Sequence, residues 1–308
     1  MKTKVLIREA VTENDIKLFW EKLREYFVRD IFPEDDEDRA YFLGEEYFKA
    51  ISAVHDREAD KCRYLFFERN GETIGFAMPV IFTSEDGKCF IMEFCVFPEF
   101  RGKGCGRECA AALMVWCRER GAQYFELNSG GNPRRENFWK KSGFVNNGFD
   151  EWGEPLMLLP PEEKILISVE LLEDADDWQL KKLENGFLKE IGEEVLSEAK
   201  QEALAKAVKE GKITFFIAKR GSRAVGMCSV AEYWSTFSCA ETAVFEDFYI
   251  EPAFRGRGVA RMLAAEAQKW CAERGLSSLS VCCAPCDEEM YKSLGFEVHL
   301  GKTFAYLT

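Results

Sequence analysis

The sequence predicts two α/β domains in tandem, each an α+β mixed sheet flanked by helices. Three observations carry this prediction. The stretch FCVFPEFRGKGCGRECAAALMVWCRERG at 94–121 returns without a gap as FYIEPAFRGRGVARMLAAEAQKWCAERG at 248–275. Strand-like and helix-like segments follow one another in the same order in both halves. The 308 residues suit two domains of about 150 residues, each long enough to bury its own core. Between the copies, LLPPEEK at 158–164 carries consecutive prolines that cannot continue a sheet, so the domains are placed at 1–160 and 161–308.

The first copy opens with a strand over Lys4–Arg8. A helix follows, capped by Thr12 with Asp15 three residues on, and Ile16, Phe19, Trp20, Leu23 and Phe27 recur on one side of it. A single second helix is predicted over Arg39–Val54. Strands Tyr64–Arg69 and Thr73–Phe82 flank Asn70-Gly71, a strong hairpin signal, and after a turn at Asp86-Gly87 comes strand Cys89–Phe97. A long helix over Gly104–Arg120, strand Gln123–Asn128, a short helix Arg134–Lys141 and two closing strands around Phe144 and Trp152–Leu158 complete the copy. The second copy is predicted to repeat this order. It begins with strand Ile165–Val169, helices Asp174–Gly192 and Glu193–Glu210, strands Ile213–Lys219 and Ala224–Val230, and a long strand Glu241–Ile250.

In both copies an apolar strand passes through Pro98 or Pro252 to Arg101 or Arg255, then a glycine-rich turn, then an alanine-rich helix. Glycines let a backbone turn with its N–H groups inward, and the following helix adds its positive dipole end at the same place. A phosphate suits such a cradle. Two familiar phosphate loops are excluded: neither copy has GxxxxGK followed by Ser or Thr, and Arg107 and Arg261 stand where a dinucleotide fingerprint needs a small residue.

What remains, V-x-P-x-x-R-G-K-G-C-G at 96–106 and I-x-P-x-x-R-G-R-G-V-A at 250–260, resembles the pyrophosphate motif of the GNAT acyl-CoA N-acyltransferases, R-x-x-G-x-G/A. The resemblance implies acetyl-CoA or coenzyme A as cofactor. It would be held by Cys95, Val96, Arg101, Gly102, Lys103, Gly104, Cys105, Gly106, Arg107 and Asn132 in the first copy. In the second copy it implies Tyr249, Ile250, Arg255, Gly256, Arg257, Gly258, Val259, Ala260 and Arg261.

Acetyl transfer from a thioester to an amine needs a deprotonated amine, a polarised carbonyl and a proton for the leaving thiolate. On the strand before each cradle Glu93 aligns with Asp247, and Glu246 precedes Asp247. The resemblance makes one of these carboxylates the base. Strict alternation would turn Glu246 and Asp247 to opposite faces, with Glu246 favoured for the cleft. MYKSLGF at 290–296 is similar to the family's helix-to-strand signature, which makes Tyr291 the general acid; the first copy has FWKKSGF at 138–144, with Trp139 in the tyrosine position. An indole cannot give a thiolate a proton. Asn132 fits an amide that contacts the cofactor, and Ala284 stands at its counterpart. EYWSTFS at 232–238 is similar to a stretch of polyamine acetyltransferases.

The net charge of −13 argues against nucleic acid and favours a cationic acceptor, to which the PEDDED run at 33–38 would add attraction. No apolar run approaches the roughly 20 residues of a membrane span and the N-terminus lacks a signal-peptide pattern, so a cytoplasmic protein free of membrane is expected. Of the 12 cysteines, Cys109, Cys117 and Cys271 fall on predicted helices, and Cys95 and Cys282 on predicted core strands, which suggests reduced packing residues. CCAPC at 282–286 lacks the further ligands zinc requires. Taken together, the sequence points to an N-acetyltransferase that moves an acetyl group from acetyl-CoA to a primary amine of a small cationic molecule, with catalysis in the second copy. The alternatives are a non-catalytic acyl-CoA-binding or regulatory protein, and catalysis in the first copy through Glu93.

Overall fold

A computed structural model describes residues 4–34, 37–102, 104–150, 152–160 and 166–301. The chain divides into two compact units, Met1–Glu162 and Glu163–Thr308. In the first, strand β1 (Leu6–Glu9) leads to helix α1 (Glu13–Tyr26), which continues as a π-helical turn over Phe27–Ile31. Thr12 and Asp15 form the expected capping box at the start of α1. The helix predicted over Arg39–Val54 is two helices, α2 (Glu37–Leu43) and α3 (Glu45–His55), because Gly44 leaves the helical conformation with an extended backbone and becomes the N-cap of α3.

The hairpin β2 (Leu65–Arg69) and β3 (Glu72–Phe82) turns through Asn70 and Gly71, both at positive φ, 54° and 81°, as a two-residue primed turn requires. Then come β4 (Lys88–Val96), a 3₁₀ turn at Pro98–Phe100, α4 (Cys105–Arg118), β5 (Tyr124–Asn128), α5 (Pro133–Lys140), β6 (Val145–Phe149) and β7 (Pro155–Leu159). They form one sheet ordered β1-β2-β3-β4-β5-β7-β6, antiparallel except for the β4–β5 pair. Its two faces carry separate cores. One joins Leu113, Trp116 and Cys117 of α4 to Leu65, Phe67, Ile91 and Phe125, with Trp139 and Phe144; the other joins Phe19, Trp20, Leu23 and Tyr26 of α1 and Tyr47 and Ile51 of α3 to Phe66, Phe76, Met78 and Cys95.

The second unit repeats the layout over β8 (Ser168–Leu171), α6 (Trp178–Glu190), α7 (Glu198–Lys209), β9 (Thr214–Arg220), β10 (Arg223–Ser235), β11 (Ala240–Ile250), a 3₁₀ turn at Pro252–Phe254, α8 (Val259–Glu273), β12 (Leu279–Val281) and α9 (Glu288–Ser293). Asp177 and Ser197 cap α6 and α7, so both helices start later than periodicity alone suggested. The sheet runs β12-β11-β10-β9-β8. Among the described residues no strand follows β12, so the closing pair of the first copy has no counterpart there; residues 302–308 lie outside the described ones. Leu180 and Leu183 of α6 pack on Phe215, Ile217, Met227 and Tyr249.

Eight cysteines are buried free thiols, which matches the expected packing role, but Cys282 is exposed: β12 ends at Val281, one residue short of it. Cys239, Cys283 and Cys286 are exposed too. Among the described residues no group of His, Cys, Asp and Glu is placed to hold a metal, and no helix is long and apolar enough to cross a membrane.

Candidate active site

The site in each unit begins where the central pair of parallel strands separates. β4 pairs with β5 only from Lys88–Tyr124 to Ile91–Leu127, and β11 with β12 only from Ala243–Leu279 to Phe245–Val281. Beyond those points β4 runs on through Cys95 and Val96, and β11 through Tyr249 and Ile250, with one edge no longer strand-paired. Such an edge offers backbone donors and acceptors to an extended ligand. A bulge in each strand marks the same place: the β3–β4 register shifts between Met78 and Pro79, and the β10–β11 register between Cys228 and Val230.

The glycine turns follow. Gly102 and Gly104 have φ of 86° and 85°, Gly256 and Gly258 of 71° and 87°, and a Cβ at any of the four would meet no atom within 4 Å. Helices α4 and α8 therefore start from Gly104 and Gly258 in the left-handed conformation, and neither receives a side-chain cap. Thr12, Asn132, Asp177 and Ser197 cap α1, α5, α6 and α7 with their side chains; α3 also starts from an uncapped glycine, but Gly44 is at negative φ and a Cβ there would meet the Ala40 carbonyl oxygen at 3.0 Å. Two uncapped N-termini beside open space fit an anionic diphosphate, which the first-turn N–H groups would hold. Cys105 and Val259 open these helices from buried positions, Arg107 and Arg261 are exposed two residues further on in the first helical turn, and exposed Arg257 lies in the second glycine turn. Lys103 lies outside the described residues.

Gly106 has a different part. A Cβ there would come within 2.9 Å of the Phe138 ring, so this glycine lets α5 pack tightly on α4; Ala260 occupies its place in the second unit.

The two motif arginines turn back to the protein in the same way. Arg101 Nε donates to the Val96 carbonyl at 2.7 Å and Arg255 Nε to the Ile250 carbonyl at 2.9 Å. Their outer nitrogens pair with acids at the end of the unit's first helix: Arg101 with Asp30 at 2.5 Å, and Arg255 with Glu190. Burial works against the Asp30 anion, but Arg101 and then Arg29 outweigh it and hold that carboxyl down at about 2. In this structure the arginines fasten the strand end and the helix end to the turn. Asn132 likewise acts as the cap of α5, its Oδ1 accepting from the backbone of Arg134 and Arg135 at 3.0 and 3.2 Å.

The carboxylates occupy corresponding places. In the first unit burial pushes Glu93 up to about 8, against Arg135 and a hydrogen bond from Tyr26, both of which favour its anion. Tyr26, at the end of α1, is itself raised by burial and then by Glu93. In the second unit the bulge breaks the alternation between Phe245 and Phe248. Phe245 and Phe248, three residues apart, both lie beside the Tyr291 ring, at 6.3 and 6.2 Å. Asp247 is turned instead toward Glu184 of α6, and Glu246 is exposed. Burial raises Asp247, with Glu246 adding to the effect.

Tyr291, on α9, packs among Phe245, Phe248 and Phe296, and burial raises its hydroxyl to about 12. Trp139 takes the matching place against Phe94, Phe138 and Phe144, but it is only 7% exposed.

Sequence reasoning did not single out Glu184, Tyr26, Asp30 or Glu190. Glu184 had a signal: on a stripe with Leu180, Leu183 and Phe187 it is a charge on the apolar face.

A family model described as Acetyltransferase (GNAT) family matches residues 19–144 and again residues 174–296. The chain belongs to this family. Each match spans one cradle and its flanking carboxylate strand, so N-acetyl transfer from acetyl-CoA is the class of chemistry to which both units are related. No curated protein matches the chain. Among solved structures, an aminoglycoside acetyltransferase from an uncultured soil metagenomic sample, in complex with trehalose, is 18% identical, with a TM-score of 0.42, over 46% of this chain and 95% of its own. An acetyltransferase of Trypanosoma brucei is 19% identical over 46% of this chain and 100% of its own, with a TM-score of 0.39. An aminoglycoside acetyltransferase in complex with a bisubstrate analogue is 17% identical over 46% and 98%, with a TM-score of 0.41.

Proposed function

We propose that the protein transfers an acetyl group from acetyl-CoA to a primary amine of a small cationic molecule, and that the second unit performs the transfer. The observation that carries the choice of unit is the contrast between Tyr291 and Trp139. The two hold matching places against Phe248 and Phe94, but only Tyr291 has an ionisable proton.

Acetyl-CoA supplies the thioester carbonyl. For the chain's own part, the first-turn N–H groups of α8, with Gly256 and Gly258, bind and orient the diphosphate, and the unpaired edge around Tyr249 and Ile250 aligns the extended arm. Asp247, with Glu246 beside it, receives a proton from the incoming ammonium. Tyr291 gives its hydroxyl proton to the departing sulfur and recovers one, through solvent, from the nitrogen as it becomes an amide, while Asp247 returns its own proton to solvent. The first unit, whose cradle has the same form, binds coenzyme A through Gly102, Gly104 and the start of α4, and contributes no acid.

A second reading places catalysis in the first unit, and Glu93 favours it: a carboxyl raised to about 8 and hydrogen-bonded by Tyr26 has the character of a general base poised near neutrality. Coenzyme release from acetyl-CoA, followed with a panel of primary amines and in their absence, tests the proposal. Amine-dependent release supports it; binding of acetyl-CoA without amine-dependent release would favour a binding or regulatory protein.

A further inference from the structure

The second unit treats its buried carboxyls in two opposite ways. Glu251 accepts from Arg223 Nε and Nη2 at 3.0 and 2.9 Å and pairs with Lys182 at 2.5 Å. Burial opposes its ionisation, but Arg223 and then Lys182 outweigh this and hold it at about 2. Glu184 is as deeply placed, 4% exposed like a core residue, and its Oε1 has no hydrogen-bond partner. Asp247 stands next to it on the bulge of β11 and keeps a partly exposed edge.

The charged groups around the pair are spoken for. Lys182 of α6 and Arg223 of β10 serve Glu251, and Arg255 beyond β11 serves Glu190. Glu246 adds a further negative charge, and Tyr249, the next residue of β11 packed toward α6, is a phenol raised by its own burial. Leu180, Leu183 and Phe187 fill the rest of that face of α6. Among the described residues, no cation therefore serves these two neighbouring carboxyls.

We propose that Glu184 and Asp247 form the subsite for an ammonium group of the acceptor, and that Glu184, resting protonated, releases its proton when that positive charge binds. This rests on the reading of the second unit as the catalytic one. The protonation at rest has a physical basis: burial and then the Asp247 charge push Glu184 up to about 8. An ammonium at the exposed edge of Asp247 supplies the missing cation. The Glu184 O–H bond then breaks and its proton goes to solvent; on binding, the ammonium keeps its own N–H bonds as donors to two carboxylates, and gives one proton to Asp247 only in the transfer step. A neutral ligand of the same shape gains nothing from the exchange. Glu184 is thus a specificity-determining residue that acts beside and through Asp247.

The full-length protein, saturated with coenzyme A, is titrated calorimetrically at pH 7 with 1,4-diaminobutane in two buffers of different protonation enthalpy. A carboxyl at about 8 predicts proton release approaching one per site. Glu184→Gln should abolish that release and weaken diamine binding about tenfold or more, with coenzyme affinity unchanged; Glu184→Asp should restore part of the release. In parallel, the infrared carboxylic-acid band at pH 6.5 should be weaker in Glu184→Gln than in the wild type, and this reading needs no ligand. Equal proton release in wild type and Glu184→Gln, or an unchanged infrared band, overturns the inference. Coenzyme formation from acetyl-CoA with amines, together with no proton release when the diamine binds the protein saturated with coenzyme A, also overturns it and leaves the catalytic reading standing. Proton release without coenzyme formation from acetyl-CoA keeps the subsite and sinks the catalytic reading.

Discussion

Replacing Gly258 or Gly104 by valine isolates what the cradle backbone contributes. At φ of 87° and 85° each glycine sits where a β-branched residue is strained, yet a Cβ would find no atom within 4 Å. The cost is therefore conformational rather than steric, about 1–2 kcal/mol for a residue forced into the left-handed region. In a unit of this size that lowers the unfolding midpoint by about 2–8 °C. If the turn escapes the strain by returning to negative φ, the first N–H groups of α4 or α8 no longer converge. A hydrogen bond to a charged group is worth about 1.5–3 kcal/mol, so losing one weakens coenzyme A about 10- to 100-fold at that site. Gly211→Val is the control: its φ is 68° and its Cβ space is equally open, but it lies in the turn between α7 and β9. Isothermal calorimetry with coenzyme A should show one site weakened in each cradle variant and none in Gly211→Val. Affinity and stoichiometry in Gly104→Val and Gly258→Val that match Gly211→Val would refute the reasoning for both cradles.

Three further outcomes are expected. Trp139→Phe, by removing part of a buried ring that touches Phe94, Phe138 and Phe144, should cost the first unit about 1–3 kcal/mol in denaturant unfolding and leave turnover almost unchanged. Glu251→Ala leaves Arg223 buried without its anion and should destabilise the second unit by about 3–5 kcal/mol. Because the Glu251 carboxyl lies near 2 when folded against an ordinary 4.5, its stabilisation is complete above 4.5 and is lost as pH falls toward 2, so the variant should show a flatter acid limb in unfolding across that window. For a cationic acceptor steered by the −13 net charge, the apparent KM should rise between about 0.01 and 1 M salt, as the screening length falls from about 30 to 3 Å; a KM indifferent to salt counts against the cationic acceptor.

The repeat, the cradles and most elements were legible because they depend on local rules. Thr12 with Asp15, Asn70 with Gly71, and the glycines before α4 and α8 act on neighbours in sequence, and the structure places them as those rules require. The break at Gly44 was equally local and was passed over because the apolar spacing continues across it. What resisted reading depends on distant partners. Arg101 carries the motif, yet its side chain answers to Asp30, seventy-one residues away, and Arg255 to Glu190. The placing of Asp247 near Glu184, with Glu246 exposed, goes with a bulge set by how β10 meets β11, which breaks the period of two. Glu184 becomes meaningful only when α6 is laid over β11 and every nearby cation is seen to be committed.

Coenzyme release with a primary amine, compared between Tyr291→Phe and Glu93→Gln, tests most directly whether the second unit does the chemistry. Tyr291→Phe removes only a hydroxyl from among Phe245, Phe248 and Phe296, so coenzyme affinity should stay close to that of the wild type while kcat falls by about 10²–10⁴, the usual contribution of a positioned acid. Glu93→Gln should keep nearly full turnover. Full activity in Tyr291→Phe together with inactivity in Glu93→Gln would contradict the account and move catalysis to the first unit.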